Sequence, residues 1–321
     1  MKELGGYFEF EQFHGSEYHE NLLRFDSVRS SFIYTIQQRQ YKKIYIPYYL
    51  CECVKELLLA YNIDYENYWL DKSFSPLINC KLNNNECLLF VNYFGRFNNK
   101  DLIELKERYN NIFIDNTQAF FQKPVREIDT AYSCRKYFGV TDGAYLNIEL
   151  PVNDGYENLP YDLSHEKMLY VMGRYETSAS QYYQMFTINE KICRGQPIKK
   201  MSLLIQNILK GIDYKSVMDK RNGNLKHLIS NLNTINEIDV KNDAGLYFYP
   251  LLLKNNEGNY VKKKLIENKI YVPTLWPNVL NEVKNDTFEY RLASNIIFLP
   301  IDQRYNTDDM KYMIAILYKY I

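Results

Sequence analysis

Short apolar runs alternate with amphipathic segments along the first half of the chain, and this alternation predicts strands separated by helices. Residues 88–94 form an apolar run typical of a buried strand, and residues 112–115 form a second one that ends in an acid. Between them, residues 99–109 have helical spacing and end at an Asn pair. A strand, a helix and a strand in this order predict a parallel sheet that binds ligands at the carboxyl ends of its strands.

The same reading extends to both sides of this unit. It predicts helices at 26–39 and 50–60, and strands at 44–47, 65–69, 128–132 and 144–150. In the second half it predicts helices over 164–186, 201–209, 214–232, 261–269 and 308–320, the last capped by Thr307. Strands are predicted at 246–253 with a break at Pro250, at 270–272 and at 296–299. These elements predict a large domain over 1–220 and a small carboxyl-terminal domain over 221–321.

Charge and composition narrow the class of protein. The 321 residues contain 39 Lys and Arg against 39 Asp and Glu, so a zero net charge offers no footprint for nucleic acid or an anionic membrane. The six cysteines and four histidines match no zinc or disulfide spacing, which favours a reduced protein without a structural metal. No signal peptide and no apolar run of transmembrane length is evident, and we expect a cytoplasmic protein.

The candidate chemistry lies between the strands predicted at 128–132 and 144–150. Ser133 and Lys136 form an S-x-x-K pattern at a strand-to-loop turn, as in pyridoxal-phosphate enzymes of the large aminotransferase fold. The pattern alone is also found in β-lactamase-like proteins, and a solvated loop lysine is the simpler interpretation. Asp115 ends the preceding strand, where a carboxylate can keep a pyridine nitrogen protonated, although a turn or capping residue would look the same.

The start of the helix predicted at residue 26 offers a candidate phosphate cradle. Ser27, Arg29 and Ser30 supply hydroxyls and a guanidinium beside the unpaired amides of a first helical turn. Taken alone, the segment fits an amphipathic helix with an ordinary cap equally well.

Several of these segments together resemble the sugar aminotransferases of the DegT/StrS type. Residues 115–119 (DNTQA) resemble the family's D-x-x-Q-A motif, and Lys136 is followed at the family's spacing by Asp142-Gly143-Ala144. Residues 5–9 and 294–301 resemble the opening and the final strand of a short, Tyr-rich branch. The resemblance spans almost the whole chain. It implies the fold of the pyridoxal-phosphate-dependent transferases, with a mostly parallel central sheet between helices and a smaller carboxyl-terminal α/β domain.

The resemblance also implies roles for individual residues. Lys136 would carry pyridoxal 5'-phosphate and move protons, and Asp115 would hold the ring nitrogen. Gln118 would bond the phenolic oxygen of the cofactor. The other positions that the family pattern assigns to the cofactor are Ser133, Arg135, Ser27, Arg29, Ser30 and Cys51. Arg135 fits an ordinary loop ion pair equally well.

Three positions depart from the family pattern. Val28 and Ala144 stand where glycines are usual. Cys51 takes the place of an aromatic residue that stacks on the cofactor ring; a cysteine can pack there with less surface, and Tyr48 or Tyr49 is the alternative. The family's Met-Ser motif is matched by residues 201–202, and the stretch 194–202 would approach the partner's site in a homodimer.

The implied reaction is transfer of an amino group from an amino acid, glutamate first, to a keto sugar, nucleotide-linked, in amino-sugar or surface polysaccharide biosynthesis. A non-catalytic or regulatory protein that keeps the fold is the alternative. The sugar dehydratases of the family carry histidine where this chain has Lys136, which argues against their chemistry. A nucleotide-binding α/β protein is disfavoured because no G-x-G-x-x-G follows a strand.

Overall fold

The computed structural model describes residues 4–149, 155–192, 197–240 and 245–321. Within these ranges, one large sheet contains the strands β1 (Leu23–Phe25), β2 (Lys43–Pro47), β3 (Asp64–Leu70), β4 (Pro76–Leu77), β5 (Glu86–Val91), β6 (Ile112–Asp115), β7 (Asp129–Ser133) and β8 (Ala144–Asn147). A small sheet contains β9 (Phe248–Leu251) and β10 (Ile297–Pro300). The helices are α1 (Val28–Arg39), α2 (Glu52–Ala60), α3 (Asn99–Tyr109), α4 (Leu169–Glu176), α5 (Ala179–Ile192), α6 (Leu203–Lys210), α7 (Tyr214–Leu232), α8 (Gly258–Glu267), α9 (Val279–Glu282), α10 (Phe288–Asn295) and α11 (Thr307–Leu317).

The large sheet is mostly parallel, as predicted. Its order is β1-β8-β7-β6-β5-β2-β3-β4, and β7, β6, β5, β2 and β3 all run in the same direction. Only β8, antiparallel to β1 and β7, and the short edge strand β4 break this pattern among the described strands. Asp115 pairs with Val91 on one side and Ala131 on the other, so β5, β6 and β7 end at the same edge of the sheet.

The core explains why the apolar runs form strands. In β5 every residue after Glu86 is buried, which is typical of a parallel strand covered by helices on both faces. Helix α1 lies against β7 and β8 and buries a continuous stretch from Ser30 to Ile36. The sheet is therefore a rigid base that fixes the loops at its carboxyl edge.

The second half of the chain forms a smaller sheet with its own helices. Strand β9 pairs antiparallel with β10, and Pro250 lies within β9 opposite Phe298. The predicted break at Pro250 is therefore wrong, because in a two-stranded sheet each strand has a free edge where proline needs no ladder donor. Helices α7, α8 and α11 pack together beside this sheet. Helix α7 runs through the boundary expected at residue 220.

Three other local predictions are corrected. Residues 270–272 form no strand, because Ile270 and Val272 are buried by packing without a ladder partner. The helix predicted over 164–186 is divided, because α4 ends at Glu176, where Thr177 takes a non-helical conformation and its hydroxyl bonds Gly173. Helix α11 is capped by Asn306 in a capping box with Asp309, so Thr307 is its first residue and not its cap.

Across the described ranges, the structure contains no helix that is both long enough and apolar enough to span a bilayer.

Candidate active site

Lys136 lies in a tight turn directly after β7. The backbone amides of Tyr137 and Phe138 both donate to the carbonyl oxygen of Cys134 at 3.0 Å, which closes the turn around Lys136. The turn is tied to the start of β8, because the amide of Cys134 donates to the carbonyl of Gly143 at 3.0 Å. Gly143 has φ +114°, and a Cβ there would lie only 3.1 Å from the Cβ of Cys134. Glycine is thus required at 143 by both conformation and space.

The environment of Lys136 lowers the pKa of its amine. Burial, helped by the neighbouring Arg135 and Arg29 guanidiniums, lowers the pKa of Lys136 to about 8. The sulfurs of Cys51 and Cys53 act in the opposite direction. An ordinary lysine has a pKa of about 10.4, so a far larger fraction of Lys136 is unprotonated and nucleophilic near neutral pH.

Asp115 ends β6, the strand next to β7. Its Oδ1 accepts a hydrogen bond from the amide of Thr117 at 2.9 Å, which fixes the side chain at the strand end. Burial raises the pKa of Asp115, while the Thr117 hydrogen bonds and the charge of Lys136 lower it. The electrostatic interaction between Asp115 and Lys136 shows that the acid and the amine lie near each other, at the ends of neighbouring strands.

The start of α1 faces the same region. Ser27 caps the helix by accepting from the amide of Ser30 at 3.2 Å, and its hydroxyl lies 3.3 Å from that of Ser30. Arg29 donates to Cys53 Sγ at 3.7 Å and interacts electrostatically with Lys136. Val28, where the family pattern has glycine, is simply the first residue of the helix, a position that needs no special backbone freedom.

Gln118 is buried, and a hydrogen bond fixes one end of its side-chain amide. Its Oε1 accepts a hydrogen bond from the amide of Phe94 at 3.0 Å. Phe94 and Gly95 both have positive φ, at 57° and 64°, and this tight bend brings the Phe94 amide to the glutamine. The side chain of Gln118 is thereby oriented so that its amide nitrogen is the end that can donate to a ligand.

Cys51 and the adjacent tyrosines occupy different places. Cys51 is the half-buried N-cap residue of α2 and interacts with Lys136. Tyr48 instead stacks on Trp69 at 4.0 Å between ring centroids, and Tyr49 is fully buried against Tyr93 and Trp276. Of these three side chains, Cys51 is therefore the one for which the structure records an interaction with the lysine.

Ser133 and Arg135 flank Cys134 at the end of β7. Ser133 is buried and pairs with Ala144 across β7 and β8, where Ala144 takes an extended conformation and needs no glycine. Arg135 forms an ion pair with Glu190 of α5, the alternative that the sequence left open. Its Nε is nevertheless buried without a hydrogen-bond acceptor among the described residues. The guanidinium therefore still has a donor for an anion.

Asp142, the acid of the family pattern, lies at the edge of this site in a polar cluster. The hydroxyl of Ser164 donates to its Oδ2, and Ser202 donates to Ser164 at 2.9 Å. Burial, reinforced by Asp162 and Asp26, raises the pKa of Asp142 to about 7. Ser202, expected to approach a partner subunit as part of 194–202, contacts its own chain here, and residues 194–196 lie outside the described ranges.

Two residues that the sequence did not single out hold the Lys136 turn in place. Gln303 Nε2 donates to the carbonyl oxygen of Tyr137 at 2.7 Å. The buried Arg221 donates to Gln303 Oε1 at 3.0 Å and lies 4.5 Å from the centre of the Tyr137 ring. Both come from the carboxyl-terminal half, so that half braces the backbone next to the reactive lysine.

No model of a known protein family matches the chain, and no curated protein matches it in sequence. Solved structures do match its fold. A DegT DnrJ EryC1 StrS aminotransferase from Brucella abortus has a TM-score of 0.59 at 14% identity, over 93% of this chain and 85% of that one. A sugar aminotransferase from Micromonospora echinospora has a TM-score of 0.62 at 11% identity, over 94% and 87%.

A third match is a Streptococcus pneumoniae protein in its PLP form, with a TM-score of 0.59 at 11% identity, over 93% of this chain and 87% of that one. The chain therefore has the fold of the DegT/StrS-type aminotransferases, and the predicted fold class is confirmed. Function has to be argued from the site itself, because one fold carries many activities.

Proposed function

We propose that this protein is a pyridoxal-phosphate-dependent aminotransferase that moves an amino group from an amino acid to a keto sugar. The observation that carries the proposal is the pairing of Lys136, whose pKa is lowered to about 8, with the half-buried Asp115 at the end of the neighbouring strand. An amine that is partly neutral near pH 7 can act as both nucleophile and proton carrier. A carboxylate across the site can keep a pyridine nitrogen protonated.

The described side chains fit this cofactor. Lys136 would hold its aldehyde carbon, Asp115 its ring nitrogen and Gln118 its phenolic oxygen. The phosphate would take the amides and hydroxyls at the start of α1, from Ser27 and Ser30, with Ser133, Arg29 and the unsatisfied Nε of Arg135. Cys51 would pack against the ring where an aromatic side chain is usual in the family.

When bound, the cofactor supplies an electron sink for the substrate carbon that loses or gains a proton. The chain's own residues supply the remainder of the chemistry. Lys136 Nζ takes and returns that proton, and Asp115 would hold the ring nitrogen. Burial raises the pKa of Asp115, and the Thr117 hydrogen bonds and the charge of Lys136 oppose that rise. In this proposal Lys136 transfers the proton, and Asp115 stabilises the charge on the ring nitrogen.

For the substrates we propose glutamate as donor and a nucleotide-linked keto sugar as acceptor, in amino-sugar or surface polysaccharide biosynthesis. The support for sugar substrates is the resemblance of residues 115–119 and 136–144 to the sugar aminotransferases, together with the shared fold. We also propose that residues 1–220 carry the cofactor and residues 221–321 form the smaller domain that contributes Arg221 and Gln303.

The test of the proposed function has two halves. Glutamate should convert the visible absorbance of the cofactor-loaded protein to that of the pyridoxamine form, and a panel of nucleotide-linked keto sugars should reverse the change. If amino donors leave the spectrum unchanged while Lys136 holds the cofactor, the protein is not an aminotransferase, and the alternative of a non-catalytic protein with the same fold is favoured. If the first half succeeds and no sugar reverses it, only the substrate class is wrong.

We propose that the protein acts as a homodimer, the commonest closed oligomer. The support is the exposed apolar surface of α4 and α5, which bury little of their own length. Its large exposed side chains are Leu169, Met172, Tyr175, Tyr183, Met185, Phe186, Ile188 and Ile192. Helices α4 and α5 pack against each other, and exposed apolar side chains concentrated on two such helices are typical of an interface. Light scattering at micromolar concentration should give twice the monomer mass of 38.4 kDa, and a monomer would contradict the proposal.

A further inference from the structure

Two cysteine thiols lie in contact at the start of α2. Cys51 is the N-cap residue and Cys53 is the second residue of the helix, and their sulfurs are 2.9 Å apart. A covalent S–S bond measures about 2.05 Å. The two sulfurs would therefore have to approach by less than about 1 Å to form a disulfide. Cys51 is half-buried and reachable from solvent, whereas Cys53 is buried.

Basic groups and the start of a helix lie beside the pair. Arg29 donates to Cys53 Sγ at 3.7 Å, and both sulfurs interact with the Lys136 ammonium. The pair also lies in the first turn of α2, where the positive end of the helix dipole stabilises a thiolate. Basic neighbours and a helix N-terminus are the two features that make cysteines reactive towards oxidants.

The two thiols do not lose their protons equally easily. Two adjacent thiolates repel each other, and contact with Cys53, together with burial, raises the pKa of Cys51. Cys51 therefore holds its proton more firmly, and Cys53 is the sulfur that Arg29 contacts. A thiolate beside a thiol is the arrangement in which an oxidised sulfur can be captured at once by its neighbour.

We propose that Cys51 and Cys53 are a modification site, at which a peroxide converts the thiol pair into a reversible disulfide beside Lys136. One thiolate attacks a peroxide oxygen, the O–O bond breaks, and a sulfenic acid forms while hydroxide leaves and takes a proton from solvent to become water. The second thiol attacks that sulfur, an S–S bond forms, and a second water leaves. Two thiols lose two electrons, and one hydrogen peroxide gains them. Two equivalents of a small thiol restore the pair and become a disulfide themselves.

The disulfide would change the cofactor site, and this part of the inference depends on the proposed function. Cys51 is the residue assigned to the face of the cofactor ring, so a bound cofactor should cover the pair. A disulfide sulfur cannot ionise, so oxidation also removes the attraction by which these sulfurs favour the protonated form of Lys136. The site therefore links the oxidation state of the pair to the chemistry of the lysine.

The test uses the intact, unliganded protein. Dilute hydrogen peroxide is followed by denaturation, alkylation with iodoacetamide, and tryptic mass spectrometry. Residues 44–55 form one tryptic peptide with both cysteines, and residues 73–81 form another with the exposed Cys80. We expect peptide 44–55 to be unalkylated, lighter by two hydrogen atoms, and doubly alkylated after prior treatment with dithiothreitol. Peptide 73–81 should give no internal disulfide and serves as the matched control.

Cys51→Ser and Cys53→Ser variants should each lose this product while peptide 73–81 behaves as before. If peptide 44–55 stays doubly alkylated at peroxide concentrations that oxidise Cys80, or is oxidised only beyond sulfenic acid, the proposal is overturned.

A second readout separates this inference from the proposed function. Pyridoxal phosphate at about ten times its dissociation constant should slow disulfide formation about tenfold, because only the free protein exposes the pair. Unchanged kinetics with the cofactor bound would contradict the placement of Cys51 at the ring. If the protein binds no cofactor at all, the proposed function fails, and the unliganded experiment still decides whether the disulfide forms.

Discussion

The side-chain amide of Gln303 donates to the backbone carbonyl of Tyr137 at 2.7 Å, one residue after the lysine proposed to hold the cofactor. Arg221 secures the same turn from the other side by bonding Gln303 and lying over the Tyr137 ring. The position of Lys136 thus depends on residues far away in the sequence. We therefore expect changes to Gln303 and Arg221 to alter catalysis through the turn and not through contact with substrate.

Replacing Gln303 by alanine should slow amino transfer more than it destabilises the fold. Misplaced reacting groups are costly, so we expect the rate of the glutamate half-reaction to fall about tenfold. The free energy of unfolding should fall by about 1 kcal/mol, the net value of an ordinary hydrogen bond. Stopped-flow absorbance and urea unfolding measure the two quantities. Gln37→Ala, on the exposed end of α1, is the control, and equal rates for the two variants would refute a positioning role.

Replacing Arg221 by methionine should destabilise the protein markedly. Arg221 is 1% exposed and donates to the carbonyls of Leu246 and Tyr247 at 2.9 and 3.3 Å, which the substitution leaves without this donor. We expect a loss of about 3 kcal/mol in the free energy of unfolding, measured in urea. Arg126→Met, whose ion pair with Glu149 is exposed, should cost less than about 1 kcal/mol. A similar small loss in both variants would contradict the bracing role.

The rate of covalent attachment of pyridoxal phosphate should depend on pH through Lys136. Only the neutral amine attacks the aldehyde, and burial lowers the pKa of Lys136 to about 8. The rate should therefore rise about tenfold per pH unit below that value and become constant above it. With an ordinary lysine, the rate of attachment would continue to rise up to about pH 10.4. Visible absorbance across a pH series distinguishes the two, and a rise that continues beyond about pH 9 would contradict the lowered pKa.

Asp115→Asn should separate cofactor binding from catalysis. The amide is isosteric and keeps an oxygen for the Thr117 hydrogen bond, but it cannot stabilise a protonated ring nitrogen. We expect amino transfer from glutamate to fall at least about a hundredfold, the scale of a lost electrostatic contribution at a reacting centre. Asp219→Asn, in an exposed ion pair on α7, should leave the rate unchanged. A fully active Asp115→Asn variant would remove Asp115 from the mechanism.

The parts of the fold that could be predicted are those encoded by short sequence patterns, such as apolar runs and helical periodicity. The apolar runs at β5, β6 and β7 predict a parallel sheet, and the shared edge of such a sheet places Asp115 near Lys136. Helices α3 and α7 have the bounds that the sequence predicts, because apolar periodicity extends over the whole of each helix. The strand predicted at 270–272 is wrong because a strand also needs a partner, which local sequence does not reveal.

The supporting residues of the site could not be found in the same way. Gln303 and Arg221 reach the turn through tertiary packing over separations of 166 and more than 80 residues, and nothing in their local sequence distinguishes them. The Arg135–Glu190 ion pair has the same origin, since α5 comes to the turn only in the folded chain. Sequence patterns thus predict the reacting groups but not the residues that hold them in place.

The most direct measurement is to identify which lysine carries the cofactor. Lys262 provides an internal control, because burial in α8 lowers its pKa to about 8 as well, yet it lies on another element from the Asp115 site. After incubation with pyridoxal phosphate and borohydride reduction, peptide mass spectrometry should place the pyridoxyl group on Lys136 and leave Lys262 unlabelled. The label should disappear in Lys136→Ala. A label on Lys262 or any other lysine, or no label on the folded protein, would contradict the account.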